Sequence, residues 1–438
     1  MVSFSIRKVR KNLIKSSLVF FVLLFAISCS DSPNSQQKID KQKTYNWSLV
    51  TTWPKNYPGL GMAPERLAKL VKEMSDGRMN ITVYGAGEIV PAMGVFDAVS
   101  SGSVQMGHSG AYYWKGKIPA AQFFAGVPFG LNAKEMNAWV NRGGGLEIWR
   151  ELYKPFNIYP IPCGNTGTQM FGWFNKEINS LDDLKGLKMR IPGVGGEVFK
   201  RAGGNPVNIP GGELYTAMQT GTIDAVEWVG PYNDLAFGFQ QVAKYYYYPG
   251  WHEPGSTLEL LINNDAWNSL PSDLQAIVEV AAKAVNQDLL DEYTASNNRA
   301  LKELVETHGA VLKKLPDDVI EEFRQISKEI INESLSDPTV KLVHQSFQDF
   351  LSEVSDYHAI AEDAFVEASE IDDELFICYY DQPPARHRPE RVSKALKRNN
   401  QDSRRGWLKR GTTAQPLHQA LPMRLLILRG SSDGLKME

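Results

Sequence analysis

The sequence predicts an α/β protein of two lobes separated by a cleft, with long helices toward the C-terminus. From Asn46 onward, strand-like and helix-like segments alternate, and this alternation occurs in two successive sets. Alternating β and α segments are typical of a parallel sheet covered by helices, and a second set indicates a second unit of the same kind. The 438 residues, 43% of them hydrophobic, have a globular composition and suffice for two such lobes.

The first set of segments has the order βαβαβ. "NWSLVTTW" alternates like a strand, residues 63–75 show helical spacing, and "MNITVYGAG" is a second strand ending in glycines. Pro91 opens a helix that continues through Val99, and "VQMGHSG" is a third strand. A helix over 133–153 and the strand "NIYPIPCG" follow. We therefore assign residues 45–165 mainly to the first lobe.

The second set contains shorter elements. "TQMFGWF", "LKMRIP", "NPVNIP" and "IDAVE" are predicted strands, and residues 194–202 and "GGELYTAMQTG" are predicted helices. We assign 166–264 mainly to the second lobe. Residues 265–370 are largely helical, and we expect them to pack across both lobes. Because proline ends or opens helices, this segment should divide into three long helices at Pro271, Pro316 and Pro338.

The N-terminus has the pattern of an exported protein. A basic head precedes "LVFFVLLFAI" at 18–27, which is shorter than the ~20 apolar residues that span a bilayer. Residues 1–28 are therefore predicted to be a signal peptide, with a single-pass anchor as the alternative. "AISC" is similar to a lipobox, which predicts lipidation of Cys29 unless ordinary signal peptidase cleaves the chain. The polar residues 29–44 are predicted to form a flexible tether.

Charge and cysteine content narrow the functional classes. The net charge of −3 gives no reason to expect nucleic acid as a partner. Beyond Cys29 only Cys163 and Cys378 remain, in unlike contexts, so neither a disulfide framework nor a thiolate metal site is expected. The tail at 371–438 is basic and without helical periodicity. We expect a disordered extension there, and a basic arm for an acidic partner is the alternative.

Catalytic signatures are missing from the sequence, but polar residues stand at the ends of apolar strands. No G-x-S-x-G, P-loop or H-E-x-x-H motif occurs, so we predict no enzyme. Ligands of open α/β sheets bind near the carboxyl ends of strands. The polar residues at or near such positions are Gln169, Arg190, Glu227 and Glu253.

These residue types are suited to binding an anion together with a cation. An Arg such as Arg190 can bind a carboxylate through two parallel hydrogen bonds. Glu227 and Glu253 would repel each other in a dry cleft unless a cation lay between them. With the amide oxygen of Gln169 they form a hard-oxygen site suited to Na⁺ or Ca²⁺. Two structural alternatives stay open: Arg190 paired with Asp224 or Glu197, and Glu227 as a cap of the following turn.

Five motifs carry a resemblance to a known family. "TTWPKNYPGLG", "VQMGHSGAYYW", "NTGTQMFGWF", "LKGLKMRIPG" and "TAMQTGTIDAVEWVGPYND" occur in this order. Together they resemble the extracytoplasmic solute receptors of TRAP transporters, the DctP family. More narrowly, they are similar to its branch for 2-oxo and 2-hydroxy monocarboxylates. The resemblance covers about residues 45–368 and excludes the tail.

The resemblance implies roles for particular residues. It implies a periplasmic binding protein fold whose two lobes close on the ligand, with Arg190 pairing with the substrate carboxylate. It also implies a metal ion, bound together with the substrate and held by Gln169, Glu227, the backbone carbonyl of Trp228, and Glu253. Tyr113 and Trp53 are further expected contacts in the cleft.

The resemblance also implies partners and a location. The receptor delivers its ligand to the small and large membrane subunits of a TRAP transporter, and members of this branch form homodimers through C-terminal helices. Residues 272–310 are long enough for that contact. We therefore predict a lipid-anchored periplasmic receptor that binds a 2-oxo or 2-hydroxy acid with a cation. The alternatives are a receptor for a dicarboxylate or sugar acid, which needs a second cationic group, and an exported metal-dependent enzyme that activates water.

Overall fold

A computed structural model describes residues 43–369 and confirms the predicted α/β fold of two lobes with long C-terminal helices. The predictions for the signal peptide, Cys29, nearly all of the tether and the basic tail lie outside the described residues. The chain divides into two compact units, Met1–Asp363 and Ala364–Glu438. Both sheets belong to the first unit. Of the second unit, only residues 364–369 are described, and they are helical.

The strands of the described region form two sheets. Their bounds are Tyr45–Thr51 (β1), Met79–Tyr84 (β2), Met106–Ser109 (β3), Ile158–Asn165 (β4), Gly172–Phe174 (β5), Lys188–Arg190 (β6), Asn205–Val207 (β7), Ala225–Val226 (β8), Tyr245–Tyr248 (β9), Thr257–Asn263 (β10) and Val311–Lys314 (β11).

The α-helices range from a single turn to 35 residues. Their bounds are Met62–Met74 (α1), Val95–Ser100 (α2), Gln122–Ala125 (α3), Ala133–Arg142 (α4), Gly145–Tyr153 (α5), Gly193–Arg201 (α6), Leu214–Gln219 (α7), Pro231–Phe237 (α8), Asn264–Asn268 (α9), Ser272–Glu306 (α10), Asp317–Ser334 (α11), Pro338–Ile360 (α12) and Glu362–Ser369 (α13).

The first sheet has the strand order β2-β1-β3-β10-β4 and forms the first lobe. β1 runs parallel to β2 and β3, whereas β10 runs antiparallel to β3 and β4. All seven residues of β10 are buried, which is consistent with its place between two neighbouring strands. Phe124 stacks between Trp139 and Trp149 in the core of this lobe.

The second sheet has the order β11-β9-β5-β8-β6-β7 and forms the second lobe. β8, β6 and β7 are mutually parallel, while β5 runs antiparallel to both β8 and β9. The chain passes from the first sheet to the second after β4 and returns after β9. The long helix α10 packs against β4 of the first lobe and α8 of the second.

Three details differ from the sequence predictions. The predicted second-lobe segment 166–264 includes β10, which pairs in the first sheet, and the predicted helical segment includes β11, which completes the second sheet. Such pairing depends on distant strands, so local pattern does not determine it. The helix predicted over 133–153 is two helices, because Gly144 between them adopts a left-handed φ of +85°.

The three prolines act as predicted. Pro271 and Pro316 directly precede α10 and α11, and Pro338 is the first residue of α12. Proline suits these positions because the first turn of a helix leaves its N–H groups without partners. Within residues 43–369, none of the helices combines the length and the apolar character needed to cross a membrane.

Candidate functional site

Two of the predicted residues become neighbours through the register of two parallel strands. Arg190 is the last residue of β6, and Glu227 directly follows β8. β6 and β8 are parallel, with Arg190 opposite Val226, so both strands end at the same edge of the second sheet. The backbone N–H of Glu227 donates to the carbonyl oxygen of Arg190 at 3.0 Å. Their side chains therefore leave the sheet at one point.

The other two predicted residues lie on the connections between the sheets. Gln169 belongs to the passage from β4 to β5, and Glu253 to the passage from β9 to β10. The backbone N–H of Gln169 donates to the Glu253 carbonyl at 3.2 Å, and Gln169 Nε2 donates to Glu253 Oε2 at 2.7 Å. A Cβ atom at Gly250 would lie only 2.0 Å from the Gln169 carbonyl oxygen. Glycine at position 250 therefore permits the two connections to meet.

Arg190 and Glu227 form an ion pair buried in the protein interior. Arg190 Nη1 donates to Glu227 Oε2 and to the Glu227 carbonyl oxygen, each at 2.7 Å, and Nη2 donates to the Tyr113 hydroxyl at 3.0 Å. The guanidinium also lies 5.1 Å from the centre of the Trp228 ring. Only 1% of each of Arg190 and Glu227 is exposed. Arg190 is therefore hydrogen-bonded to Glu227 of the second lobe and to Tyr113 of the first lobe.

The structural alternatives considered for Arg190 are not observed. Asp224 accepts a hydrogen bond from the backbone N–H of Lys188, and Glu197 lies 3.8 Å from Arg201. The partner of Arg190 is instead the other predicted charged residue, Glu227. The structure thus brings these two predicted residues together, and the predicted contact of Arg190 with a substrate carboxylate stays a prediction.

Burial dominates the ionisation of the acids. Burial raises the pKa of Glu227 to about 7, and Arg190 acts in the opposite direction. The pKa of Glu253 is raised to about 7, first by burial and then by the nearby charge of Glu227. Two acids and one guanidinium thus share a dry region, and ionisation of both acids would leave one negative charge without a protein partner. Such a region favours a cation.

Several buried polar atoms of the site make no hydrogen bond within residues 43–369. They include Oε1 of Gln169, Nε of Arg190, Nε1 of Trp228 and both ring nitrogens of His252. An unpaired buried polar atom costs roughly 1–3 kcal/mol, so a cluster of them indicates contacts that the protein alone does not supply. His252 was not among the predicted residues, although it precedes Glu253 in "WHEP". Neither its position nor its spacing distinguished it in the sequence.

The first lobe contributes aromatic walls. Trp53 was predicted to be a contact in the cleft. The centre of its ring lies 6.2 Å from the ring centre of Tyr113 and 6.2 Å from that of Trp228. Its Nε1–H donates to Nδ1 of His108 at 2.9 Å, so the polar edge of Trp53 is already paired. Trp53 therefore presents apolar surface, whereas Tyr113 offers a hydroxyl. A cavity of about 180 Å³ adjoins Tyr113, and Tyr112, Lys115 and residues of 191–208 complete its lining.

The donor set fits a hard cation. The carboxylates and the free Gln169 Oε1 are oxygen donors of the kind that Na⁺ and Ca²⁺ bind. The backbone carbonyl of Trp228 accepts no hydrogen bond among the described residues and directly follows Glu227. Ligand atoms of Glu227, His252 and Glu253 lie within 4.8 Å of one another. Gln169, Glu227, Trp228 and Glu253 stay the predicted ligands of such an ion.

The buried charged site joins Arg190 and Glu227 of the second sheet to Tyr113 of the first lobe, and enclosed sites with a few converging polar groups are typical of small-molecule binding. Residues 49–337 match the DctP family, described as bacterial extracellular solute-binding protein, family 7. The chain belongs to this family, which confirms the resemblance drawn from the five motifs. Its class is therefore that of extracytoplasmic transport receptors.

Relatives support the same placement. The chain is 41% identical over 354 residues, 81% of its length and 96% of the relative, to a monocarboxylate 2-oxoacid-binding periplasmic protein of Nostoc sp.. Crystal structures of TRAP periplasmic solute-binding proteins from Colwellia psychrerythraea, with calcium and pyruvate, and Pseudoalteromonas atlantica, with sodium and pyruvate, are each 45% identical with TM-scores of 0.72. Both alignments cover 74% of this chain, and they cover 100% and 99% of the two relatives respectively.

Proposed function

We propose that this protein is the extracytoplasmic receptor of a TRAP transporter and binds a small 2-oxo or 2-hydroxy monocarboxylate together with Na⁺ or Ca²⁺. The observation that carries the proposal is the buried Arg190–Glu227 pair surrounded by unpaired polar atoms. The relatives named above, whose ligands are 2-oxoacids or pyruvate with one of these cations, support the same ligand class. The receptor then passes its ligand to the small and large membrane subunits.

Each residue of the site has a distinct part in binding. The Nε–H of Arg190 makes no hydrogen bond within the described residues, so in this proposal it donates to the ligand's carboxylate while Nη1 remains with Glu227. Tyr113 fixes the other side of the guanidinium. The cation supplies positive charge to Glu227, Glu253 and the ligand oxygens. Enclosure by the two lobes strengthens all of these contacts, because water no longer screens them.

Site composition favours a small monocarboxylate. Arg190 is the cationic side chain that contacts Glu227, and the cavity of about 180 Å³ beside Tyr113 has room for only a few heavy atoms. One observation favours a dicarboxylate or sugar acid as the second candidate. Lys115 lines that cavity together with the acid Glu197, and its Nζ donates to the Gly193 carbonyl at 2.9 Å. A distal carboxylate would have to displace this bond.

We also propose three properties that accompany this function. The protein captures its ligand without turnover, as expected of a transport receptor. Lipidation of Cys29 anchors it to a membrane. Two copies associate through the helical region 272–310, where Val280 and Val305 of α10 are exposed apolar residues.

Isothermal titration of the purified protein tests the ligand class. After dialysis against a chelator in sodium-free buffer, we expect pyruvate or lactate to bind only when Na⁺ or Ca²⁺ is restored. Thermal shift should agree, because a ligand at 100 times its Kd stabilises the fold by about 2.7 kcal/mol. Tighter binding of succinate or glucuronate would favour the second candidate. Conversion of pyruvate, followed by NMR, would contradict the proposal of capture without turnover.

A further inference from the structure

His252 is a buried side chain whose two ring nitrogens make no hydrogen bond that would stabilise the fold. It is 2% exposed, and neither Nδ1 nor Nε2 makes a hydrogen bond with any residue of 43–369. His108, which is equally buried, shows the usual arrangement: Nδ1 accepts from Trp53 and Nε2 contacts the Cys163 carbonyl, both at 2.9 Å. Two unpaired ring nitrogens in one buried imidazole therefore require an explanation outside the fold.

The imidazole lies beside the two acids of the site. Its Nε2 is 3.4 Å from Glu227 Oε1, without the alignment of a hydrogen bond. Glu227 Oε2 is already held by Arg190, and Glu253 Oε2 accepts from Gln169 Nε2 at 2.7 Å and from the Ser256 hydroxyl at 2.5 Å. The remaining oxygen, Oε1, of each acid accepts no hydrogen bond within the described region. These free oxygens and the free imidazole are on three neighbouring side chains.

The backbone fixes the position of His252. It lies on the connection from β9 to β10, and a Cβ atom at Gly195 of α6 would come within 2.9 Å of the His252 Cβ. The His252 ring also packs against Phe171 and Trp251, with ring centres 6.0 and 5.5 Å away. Packing on several sides holds the imidazole beside the acids.

The three groups have the separations of ligands to one ion. Their candidate ligand atoms lie within 4.8 Å of one another, and metal–ligand bonds of ~2.0–2.6 Å produce separations of this size. Na⁺ and Ca²⁺ take oxygen ligands and gain little from an imidazole, whereas Co²⁺, Ni²⁺ and Zn²⁺ bind imidazole nitrogen well. We propose that His252 is a nitrogen ligand of the site, and that the protein also binds its organic anion with a divalent transition ion held by Glu227, His252 and Glu253.

The proposal deepens the proposed function, since it rests on the same site and the same class of anion. It adds that the choice of cation depends on one side chain. With a transition ion, the site uses nitrogen and oxygen donors together. With Na⁺ or Ca²⁺, the imidazole does not bind the ion, which is held by the oxygens of Gln169, Glu227, Glu253 and the Trp228 backbone carbonyl. Replacement of His252 should therefore affect the two kinds of cation unequally.

The test titrates pyruvate into metal-free protein supplemented with Ca²⁺ or Co²⁺. We expect the unaltered protein to bind pyruvate with either ion, and addition of pyruvate to change the visible absorption spectrum of bound Co²⁺. His252→Gln, which retains a polar side chain without the ring nitrogens, should lower Co²⁺-dependent affinity at least about tenfold. It should change Ca²⁺-dependent affinity less than about threefold. His252→Phe, which retains an aromatic ring, should behave in the same way.

A matched control and four outcomes complete the test. His308→Asn removes a surface imidazole that lies 3.5 Å from Glu303, and it should leave the cobalt-dependent affinity unchanged. The proposal is overturned if Co²⁺ supports no pyruvate binding while Ca²⁺ does, or if the His252 variants retain Co²⁺-dependent binding. Equal losses with both ions also overturn it, because His252 would then contact the organic anion. Failure of pyruvate, lactate and longer 2-oxoacids to bind with any cation would instead count against the proposed function.

Discussion

Glu259 in the first lobe and Glu227 in the second are both fully buried carboxyls at or beside a β-strand, but their surroundings differ. The two oxygens of Glu259 have separate neutral donors: Trp114 Nε1–H donates to Oε1, and the Tyr153 hydroxyl donates to Oε2 at 3.0 Å. Glu227 instead has a charged partner on Oε2 and an unpaired imidazole beside Oε1. Both carboxyl oxygens of Glu259 therefore have hydrogen-bond donors within the protein, whereas Oε1 of Glu227 has none.

The difference shows that burial does not by itself mark a functional carboxyl. Burial raises the pKa of Glu259 to about 8, although the bonds from Trp114 and Tyr153 oppose it, and it raises that of Glu227 to about 7. A perturbed pKa is therefore common to both. Glu227 differs because buried polar atoms around it have no hydrogen-bond partner and the charges beside it do not balance. These groups can therefore bind a ligand.

The same substitution at both positions should produce the largest contrast. Glu227→Gln removes the charge that pairs with Arg190 and binds the cation, so we expect pyruvate affinity in the presence of Ca²⁺ to fall at least about 100-fold, which is about 2.7 kcal/mol. Glu259→Gln replaces a carboxyl that is largely protonated at pH 7 with a neutral amide of similar shape. Its affinity should stay within about threefold of the unaltered protein. Isothermal titration measures both.

Circular dichroism of the two variants supplies the control for folding. Because glutamine retains an oxygen that can accept from Arg190, Glu227→Gln should keep its secondary structure. If both variants lost the same affinity for pyruvate, the presence or absence of hydrogen-bond donors at each oxygen would not distinguish a ligand-binding carboxyl from a structural one. Retention of Ca²⁺-dependent binding by Glu227→Gln would remove the main support for the proposed site.

The same pair of acids shows what could be predicted from the sequence. Glu227 was selected because it ends an apolar run just before Gly230 and Pro231, where a parallel strand reaches the ligand-binding edge. Glu259 lies inside the apolar run "TLELLIN" and attracted no functional prediction. Both outcomes follow from position along a strand, which is local information. The three prolines that precede or open the long helices were informative for the same reason.

Features that depend on distant segments could not be predicted. The place of β10 between β3 and β4 is determined by pairing with residues about 100 or more positions away in the chain. The unpaired nitrogens of His252 arise where two connections between the sheets pack against each other and against helix α6, and "WHEP" does not reveal them. Local pattern therefore located the charged residues, while tertiary packing determined which polar atoms remain free.

The contribution of Glu259 to stability can be measured from the way the free energy of unfolding changes with pH. Its pKa is about 8 when folded and 4.5 ordinarily, so between these values the folded state binds more protons than the unfolded state. Stability from this group is therefore complete below about pH 4.5 and declines as the pH rises toward 8, by up to about 1.4 kcal/mol per unit. Glu259→Gln removes this decline.

Urea denaturation of metal-free protein at pH 5, 6, 7 and 8 measures this effect. The free energy of unfolding of Glu259→Gln, relative to the unaltered protein, should increase with pH, by about 1 kcal/mol per unit in the middle of the range. Taking the difference between the two proteins cancels the titration of Glu227, Glu253 and Asp234. A difference that stayed constant from pH 5 to 8 would show that Glu259 does not titrate in this window and is not held protonated by burial.

The smallest expected effect concerns the hydroxyls that complete each acid's surroundings. The Tyr113 hydroxyl accepts from Arg190 Nη2 at 3.0 Å, whereas the Tyr153 hydroxyl donates to Glu259. One hydrogen bond contributes about 0.5–1.5 kcal/mol, so Tyr113→Phe should weaken pyruvate binding about 3- to 10-fold through loss of guanidinium positioning. Tyr153→Phe should lower the free energy of unfolding by a similar amount and leave affinity unchanged. Isothermal titration measures the affinity of both variants for pyruvate, and urea denaturation measures their free energy of unfolding. If Tyr153→Phe weakened binding as much as Tyr113→Phe, the hydrogen bonds of Glu259 would affect the binding site, and the contrast between the two acids would not hold.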